Sequence, residues 1–465
     1  MVAALTLRRA TPESMGVRSE SVLDFIDSIE SAELELHSLM LLRGGKVLAE
    51  GWWKPYRRDD LHLLYSLSKS FASSAVGFAV SEGLLGLDDT VVSFFPNDVT
   101  KDASANLLAM RVRHLLSMST GQDSDEKNLG DSNWVRGFLA RPVPYEPGTH
   151  FLYNSSATFM LSAIVQRLTG KRLLDYLRPR LLDPLGIDRA TWAQNPDGID
   201  FGGWGMSVAT ESIAKFGQLY LQDGMWEGRR VLPEGWVAEA SKSHVSNGDD
   251  PASDWAQGYG FQFWRCRHDA YRGDGAYGQY CIVAPVKDMV IAITSSLDDM
   301  QAVLNRVWEH LLLPAGDPIS ENPVAQRALS DRLGSLDILH HSPSALPEWA
   351  GSSRFTDGNQ TWSFSSGAGE LSLRIEDQGG THTINAGVGS WIYGSCDLLD
   401  EAPKPVAAQA RRLDGAGLRI EVRYIEEPTA LWVLCDLSCG RLRVSTHRRG
   451  RFMEPVGPSF EGAPV

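Results

Sequence analysis

The hydrophobic pattern of residues 1–315 changes repeatedly between helical and strand periodicity. Apolar residues three or four apart predict amphipathic helices over 11–32 and 210–221. Two strand-like runs flank Gly44 and Gly45, which predicts a β-hairpin. Antiparallel strands are also predicted over three segments rich in apolar, aromatic and β-branched residues, namely 257–264, 279–284 and 289–295. The pattern therefore favours an antiparallel sheet accompanied by helices.

The last quarter of the chain has a different pattern. Beyond residue 314 the sequence becomes polar and contains several Pro and Ser residues. Short strands separated by Gly, Asp and Pro then follow at 361–366, 370–376, 381–387, 418–426, 430–437 and 441–447. Such spacing is typical of a small β-barrel or β-sandwich. We therefore expect a mixed helix-and-sheet domain over residues 1–335, a linker over 336–348 and an accessory all-β domain over 349–465.

Candidate chemistry appears at Ser66 and Lys69, which lie three residues apart at the start of a helix almost without charge. Residues at this spacing share a helical face, so the hydroxyl and the amine point into one site. A serine hydroxyl becomes a good nucleophile when a base takes its proton, and a desolvated lysine can be that base. The alternative is a serine that only caps the helix.

The same Ser-x-x-Lys spacing occurs twice more, at Ser124 and at Ser212. The Ser124 copy lies in a run of acidic and polar residues, which is typical of a solvated loop. The Ser212 copy lies in the amphipathic helix predicted over 210–221. Only the Ser66 copy precedes a helix that must be buried, where an amine costs free energy unless the site uses it.

Composition narrows the classes of function. The formal net charge of −14 argues against a nucleic acid or an anionic membrane as the partner. The cysteines are few and odd in number, so each is expected to be a small buried hydrophobe rather than part of a disulfide framework or a metal site; they are Cys266, Cys281, Cys396, Cys435 and Cys439. No cofactor is implied, and the oligomeric state is left open.

Two features bear on location. The apolar run at the N-terminus is followed by arginines, the reverse of a secretory signal, and no stretch of 18 apolar residues occurs. We therefore expect a cytoplasmic protein.

Three segments occur in the order and spacing of one enzyme family. They are SLSK at residues 66–69, within LLYSLSKSF, then YNS at 153–155, and GDGAYGQYCIVAP at 273–285. With these segments, residues 10–315 resemble the serine hydrolases of the β-lactamase/penicillin-binding-protein superfamily, in particular the class C-like branch that includes esterases. The resemblance implies an α/β (α+β) protein with a β-lactamase/transpeptidase-like fold, an antiparallel sheet flanked by helices.

The resemblance also implies roles for residues in the first two motifs. Ser66 would attack a carbonyl and form an acyl-enzyme, and Lys69 with Tyr153 would move the proton to the leaving group. A tyrosine would do this as a phenolate if a cation such as Lys69 lowers its pKa, or as a hydrogen-bonded phenol. The family motif is Tyr-x-Asn, whereas here Asn154 is in the middle and Ser155 is third. Either of them could hold the lysine and the substrate.

The third motif departs from the family pattern. Gly273, Asp274 and Gly275 stand where the family usually has Lys-Thr-Gly. The glycines fit a strand that a substrate approaches closely, and the amides of Ser66 and Ala276 would form the oxyanion hole. The lysine that grips a substrate carboxylate is missing. Arg272 could replace it, or Arg272 could be a solvated residue on the opposite face of the strand, with Asp274 either in the site or paired with Arg272.

The expected function is cleavage of a small ester, amide or peptide by a serine hydrolase. Esterase-like activity is favoured over β-lactamase or D,D-peptidase activity, because the carboxylate-gripping lysine and an export signal are missing from the sequence. An acyltransferase or peptide cyclase would use the same acyl-enzyme with an amine or alcohol as acceptor. A non-catalytic binding protein on the same fold is a further alternative.

Overall fold

The computed structural model describes residues 7–125, 133–338, 345–398, 402–449, 454–455 and 459–465. Its α-helices are α1 (Ser19–Ser31), α2 (Ser68–Ser81), α3 (Val91–Phe94), α4 (Ala105–Ala109), α5 (Val112–Leu116), α6 (Trp134–Leu139), α7 (Ser155–Thr169), α8 (Leu173–Leu177), α9 (Thr210–Leu221), α10 (Trp236–Ser241), α11 (Met300–Arg306) and α12 (Pro323–Gly334). Short 3-10 turns include Tyr65–Leu67, directly before α2.

The strands of the N-terminal part are β1 (Arg8–Arg9), β2 (Leu36–Arg43), β3 (Lys46–Trp52), β4 (His62–Leu63), β5 (Thr191–Trp192), β6 (Met206–Val208), β7 (Met225–Trp226), β8 (Arg229–Arg230), β9 (Trp264–Arg265), β10 (Tyr271–Gly275), β11 (Gln279–Ala284) and β12 (Met289–Ser295). Those of the C-terminal part are β13 (Ser352–Thr356), β14 (Thr361–Gly367), β15 (Glu370–Asp377), β16 (Gly380–Val388), β17 (Ile392–Cys396), β18 (Lys404–Arg412), β19 (Leu418–Tyr424), β20 (Ala430–Ser438), β21 (Arg441–Arg449), β22 (Glu454–Pro455) and β23 (Phe460–Pro464).

The main sheet has the strand order β1-β3-β2-β12-β11-β10-β9, and its pairs are antiparallel except for the short β1–β3 pair. The expected hairpin is confirmed, with Gly44 and Gly45 at positive φ between β2 and β3. Strands β10 and β11 form the second hairpin, in which Gly275 pairs with Gln279. This hairpin carries the third sequence motif to one end of the sheet.

Helices cover both faces of this sheet. Alternate side chains of β2 enter different cores, with Met40 packed beside α2 and α9, and Leu39 and Leu41 packed beside α1 and α11. Helix α2 lies in the first core and is buried from Ser68 to Ala79. A buried helix needs an apolar surface all round, which explains why its sequence lacks charge apart from Lys69.

Two predicted elements differ from the structure. The helix expected over 11–32 begins only at Ser19, because Gly16 adopts a left-handed conformation at φ 71° and ends the preceding 3-10 turn. The strand expected over 257–264 is reduced to Trp264 at the start of β9. In that segment Gly260 N donates to Phe263 O and Gln262 has φ 66°, so the backbone turns back on itself.

The C-terminal part is an all-β barrel. Its sheet runs β16-β15-β14-β13-β23-β21-β20-β19-β18-β17, and a parallel pairing of β16 with β18 closes it. All six predicted strands form there, and β13, β17, β18, β22 and β23 are additional. The division into domains at 335 and 349 stays a prediction, and residues 339–344 of the expected linker lie outside the described residues, as do 126–132 of the polar run that follows Ser124.

Within the described ranges, no helix is long and apolar enough to cross a membrane. In the same ranges, no group of three or more His, Cys, Asp or Glu side chains is placed to hold a metal ion. The cysteines are reduced, and Cys266, Cys281, Cys396 and Cys435 are buried as expected. Cys439 is exposed, so the prediction of burial was wrong there, since it lies at positive φ at the end of β20.

Candidate active site

The hydroxyl of Ser66 is presented at the junction between a 3-10 turn and helix α2. The helix itself starts at Ser68, so Ser66 is not its N-cap residue. Tyr65, immediately before it, has a left-handed backbone at φ 46°. Conformations of this kind cost free energy for residues other than glycine and recur at functional sites. The turn leaves Ser66 partly exposed while Lys69, one turn further on, is buried.

Lys69 is the centre of the polar contacts. Its Nζ donates to Ser66 Oγ at 3.0 Å, to Ser155 Oγ at 3.1 Å and to the carbonyl of Gly203 at 2.7 Å. The side chain is only 1% exposed. A buried amine needs partners for its donors, and here those partners fix its direction toward Ser66.

Tyr153 is the second group beside Ser66, since the Ser66 hydroxyl is near enough to its phenol to act on the pKa of that phenol. Its ring lies 4.8 Å from Lys69 Nζ and stacks on Trp264 with centroids 5.2 Å apart. Burial raises the pKa of the Tyr153 phenol well above its usual range, and the Asp274 carboxylate adds to the shift. The net shift is upward, opposite to the lowering expected from Lys69, and it favours the protonated phenol.

Asn154 and Ser155 separate into two roles at the start of α7. Asn154 Oδ1 accepts from Ala157 N at 3.0 Å, and Asn154 Nδ2 donates to Gln122 Oε1 at 2.8 Å. The Asn154 side chain therefore caps the helix. Ser155 instead directs its hydroxyl to Lys69. Of the two, the structure brings Ser155 into the site and turns Asn154 away from it.

Strand β10 approaches Ser66 closely because it has glycines on the side facing α2. A Cβ atom at Gly273 would lie 2.4 Å from Ser70 Oγ, and one at Gly275 would lie 2.0 Å from the carbonyl oxygen of Leu64 and 3.1 Å from the amide of Ser66. Any side chain there would push the strand away. Ala276 follows directly at the exposed turn, next to the end of the strand.

Arg272 and Asp274 lie on the opposite face of β10 and are paired with each other. Arg272 Nη2 is 2.8 Å from Asp274 Oδ2, and Arg272 Nη1 donates to the Asp254 carbonyl at 2.7 Å. The Arg272 guanidinium also lies 4.3 Å from the centroid of the Trp255 ring and is fully buried. Burial raises the pKa of the Asp274 carboxyl, and Arg272 opposes that shift. The guanidinium is thus committed within the protein.

Two contributors to the site were not expected from the sequence. Gly203 supplies the carbonyl that accepts from Lys69, and a Cβ there would lie 2.7 Å from the Ser155 carbonyl oxygen. The glycine-dense run at 202–206 was the available signal for a close approach. Trp264 stacks on Tyr153 and was expected instead at the end of a longer strand, where nothing in the sequence linked it to Tyr153.

With this arrangement in view, the comparison with known families is direct. The beta-lactamase family model matches residues 35–313, which is more than half of the chain and includes every residue of the site. The chain belongs to the beta-lactamase family. Its superfamily resemblance and its fold, a mixed helix-and-sheet domain with a C-terminal β-barrel, are thereby established.

Characterised relatives are hydrolases. The chain is 28% identical to the 6-aminohexanoate-dimer hydrolase of Paenarthrobacter ureafaciens over 319 residues, which are 62% of this chain and 80% of that protein. It is 25% identical to the lovastatin esterase of Penicillium rubens over 172 residues, 31% of this chain and 42% of that one. The chain is accordingly a hydrolase of this family.

Solved structures agree on the fold. A putative 6-aminohexanoate-dimer hydrolase from Bacillus anthracis superposes with a TM-score of 0.54 at 17% identity, covering 70% of this chain and 88% of that chain. The octameric penicillin-binding protein homologue from Pyrococcus abyssi superposes with a TM-score of 0.51 at 16% identity, covering 91% of this chain and 97% of that chain. The second match extends over both the hydrolase domain and the barrel.

Proposed function

We propose that the protein hydrolyses a carboxylic ester or amide through an acyl intermediate on Ser66. The observation that carries the proposal is that Lys69 Nζ is hydrogen-bonded to the Ser66 hydroxyl and has the centroid of the Tyr153 ring 4.8 Å away. An amine buried at 3.0 Å from a serine hydroxyl is placed to accept its proton when the oxygen attacks a carbonyl carbon.

The reaction divides the proton transfers between two groups. In the reactive form Lys69 is a neutral amine that donates to Ser155 and Gly203 and turns its lone pair toward Ser66. It takes the Ser66 proton as the serine oxygen bonds to the carbonyl carbon, and the carbonyl oxygen becomes an oxyanion. The amides of Ser66 and Ala276, at the closely packed end of β10, stabilise that charge. Tyr153, held protonated by burial, donates to the leaving group as the tetrahedral intermediate collapses. Water then attacks the acyl-enzyme by the reverse sequence and releases the acid.

Small, uncharged acyl groups are the proposed substrates. Arg272 is engaged by Asp274, by the Asp254 carbonyl and by the Trp255 ring, so it is not offered to a substrate carboxylate. The relatives named for amide and ester hydrolysis support cleavage of an amide or an ester bond. We favour ester hydrolysis over β-lactamase or D,D-peptidase activity on these grounds. We also propose that the enzyme acts in the cytoplasm.

The nucleophile can be tested with a fluorophosphonate probe and peptide mass spectrometry. We expect the wild-type label on Ser66, no label in Ser66→Ala, and labelling slowed at least about 100-fold in Lys69→Ala because the base is gone. Ser212→Ala and Lys215→Met, at the other Ser-x-x-Lys pair in α9, are the matched controls and should label like the wild type. A label on another serine, or one indifferent to Lys69, would refute the mechanism.

The substrate preference can be tested by comparing kcat/KM for p-nitrophenyl acetate, p-nitrophenyl butyrate and nitrocefin. We expect the two esters to be hydrolysed at least about 10-fold faster than nitrocefin, because a cation that could bind the nitrocefin carboxylate is engaged elsewhere. Nitrocefin hydrolysis well above ester hydrolysis would reverse the ranking. If an added amine were acylated faster than the free acid was released, acyl transfer would be favoured instead.

A further inference from the structure

A turn of the C-terminal barrel reaches the nucleophile segment. Residues 425–429 connect β19 to β20 and are called the β19–β20 turn below. The carbonyl of Glu426 accepts from Leu63 N at 2.8 Å, and the carbonyl of Pro428 accepts from Ser296 Oγ at 2.9 Å. Two backbone groups of one short turn therefore hold two separate segments of the hydrolase domain.

The first of these segments leads directly to Ser66. Leu63 ends β4, and Leu64 and Tyr65 are the two residues between it and the nucleophile. The carbonyl of Leu64 packs against Gly275, and Tyr65 has its left-handed φ of 46°. Leu63 is thus separated from the Ser66 amide by two residues, one of which is strained.

The second segment leads to Ala276. Ser295, beside Ser296, donates its hydroxyl to the carbonyls of Tyr277 at 2.8 Å and Gly278 at 2.6 Å. Tyr277 follows Ala276 and also has a left-handed backbone, at φ 65°. The hydrogen bond to Pro428 therefore fixes the strand end that supports the turn carrying the Ala276 amide.

The two segments also meet each other. The Tyr65 and Tyr277 rings pack edge to face with centroids 5.3 Å apart. The barrel acts on this pair as well, since the charges of Glu427 and Arg448 both shift the pKa of Tyr65, with burial as the largest cause of its rise. The strained residues next to both proposed oxyanion donors are thus in contact, and the same turn is hydrogen-bonded to Leu63 and Ser296 nearby.

We propose that the β19–β20 turn is a positioning element that holds the amides of Ser66 and Ala276 at the separation needed to bind an oxyanion. This inference rests on the function proposed above. The turn forms no bond with the substrate. It restrains the two strained backbone segments, Leu63 to Ser66 and Ala276 to Gly278, from outside the hydrolase domain.

The test uses the full-length protein and the variant Ser296→Ala, which removes the hydrogen bond to Pro428. Deleting an oxyanion-hole donor lowers kcat by about 100- to 1000-fold, and displacing one should lower it less. We expect kcat for p-nitrophenyl acetate to fall about 10-fold with KM changed less than about 2-fold. Affinity for phenylboronic acid, which forms a tetrahedral adduct on the serine oxygen, should fall by a similar factor. Ser296→Thr retains the hydroxyl and should restore both values.

Tyr393→Phe is the matched control, because it also removes one hydrogen bond across the domain interface, from Tyr393 Oη to the Pro55 carbonyl at 2.7 Å, away from Ser66. It should behave as the wild type in kcat and boronate affinity. An unchanged Ser296→Ala, a rise in KM alone, or an equal loss in Tyr393→Phe would overturn the positioning role. If the fluorophosphonate probe fails to label Ser66 in the wild type, the proposed function is what fails, and this inference falls with it.

Discussion

At the scale of single residues, the site depends on how one buried amine is satisfied. Lys69 donates to acceptors from different parts of the chain, namely Ser66 before α2, Ser155 at the start of α7 and Gly203 in a glycine-rich turn. The burial that positions Lys69 also keeps Tyr153 protonated. The proposed division of labour, with an amine as base and a phenol as acid, follows from these surroundings.

Substitutions at the neighbours Asn154 and Ser155 should have different effects, one mainly on stability and the other mainly on activity. Ser155→Ala removes an acceptor of Lys69, so we expect kcat to fall about 10- to 100-fold with an unchanged melting temperature. Asn154→Ala removes a helix cap and should lower stability by about 1 kcal/mol, with a smaller effect on kcat. Steady-state kinetics and thermal unfolding of both variants measure this difference.

Ser156→Ala is the control for this pair, because the Ser156 hydroxyl bonds to Asp125 rather than to Lys69. It should keep nearly full activity. If Asn154→Ala lost more activity than Ser155→Ala at equal stability, the assignment of the two side chains would have to be exchanged.

At the scale of elements, the parts with a strong local signal were predicted and the parts shaped by distant contacts were not. The β2–β3 hairpin follows from two glycines between apolar runs, and α9 follows from its apolar stripe of Ile213, Phe216, Leu219 and Tyr220, all buried. The segment 257–264 has the composition of a strand, yet its amides bond to distant parts of the chain, with Phe261 N donating to the Ala240 carbonyl in α10. Such long-range pairings leave no mark in the local pattern.

The candidate site shows the same division. Ser66, Lys69 and Tyr153 were found because their motifs have a fixed order and spacing. The Gly203 carbonyl and the stacking of Trp264 on Tyr153 were not found, since a backbone acceptor and a ring contact need no particular residue nearby in sequence. The choice between Asn154 and Ser155 needed the direction of each side chain at the start of α7.

Strand β4 contains a buried histidine whose titration should appear in the stability of the protein. His62 Nε2 lies 3.0 Å from His37 Nδ1, and burial lowers the pKa of His62 to about 3. His62 binds a proton near pH 6.5 in the unfolded chain but only near pH 3 in the folded protein. The free energy of unfolding is therefore highest above pH 6.5 and falls as the pH is lowered toward 3. The full loss is on the order of 5 kcal/mol.

Urea unfolding at pH 7, 6 and 5 measures this dependence. We expect the midpoint of the wild type to fall steadily over the range, and the decline to be clearly shallower in His62→Gln, which cannot titrate. His114, whose pKa burial lowers to about 4, contributes to what remains. Equal slopes in the two proteins would mean that His62 does not carry this pH dependence.

At the scale of the whole molecule, the barrel is joined to the hydrolase domain by buried charges as well as by the β19–β20 turn. Arg423 on β19 is 3% exposed and pairs with Glu35, which precedes β2, and its Nε donates to Glu421 at 2.7 Å. Glu35 in turn bonds to His37 at 3.0 Å, the partner of His62. Nothing in the sequence linked these residues, because they are almost four hundred positions apart.

Breaking this interface network should be costly. Arg423→Met leaves the charges of Glu35 and Glu421 buried without their cation, and we expect a loss of about 3–5 kcal/mol in chemical unfolding. Arg441→Met is the matched change on the barrel surface, where Arg441 is half exposed beside Glu461, and it should cost less than about 1 kcal/mol. Similar small losses in both variants would argue against a structural role for the buried pair.

The most direct test of the proposed function is to trap the acyl-enzyme. The protein is mixed with p-nitrophenyl acetate, quenched in acid within the first turnovers and digested, and the peptides are analysed by mass spectrometry. The proposed mechanism predicts an acetyl group on Ser66, formed in a burst of about one p-nitrophenol per chain if deacylation is slower than acylation, and absent from Ser66→Ala. Full hydrolysis by Ser66→Ala, or an acetyl group on a different residue that accounts for turnover, would contradict it.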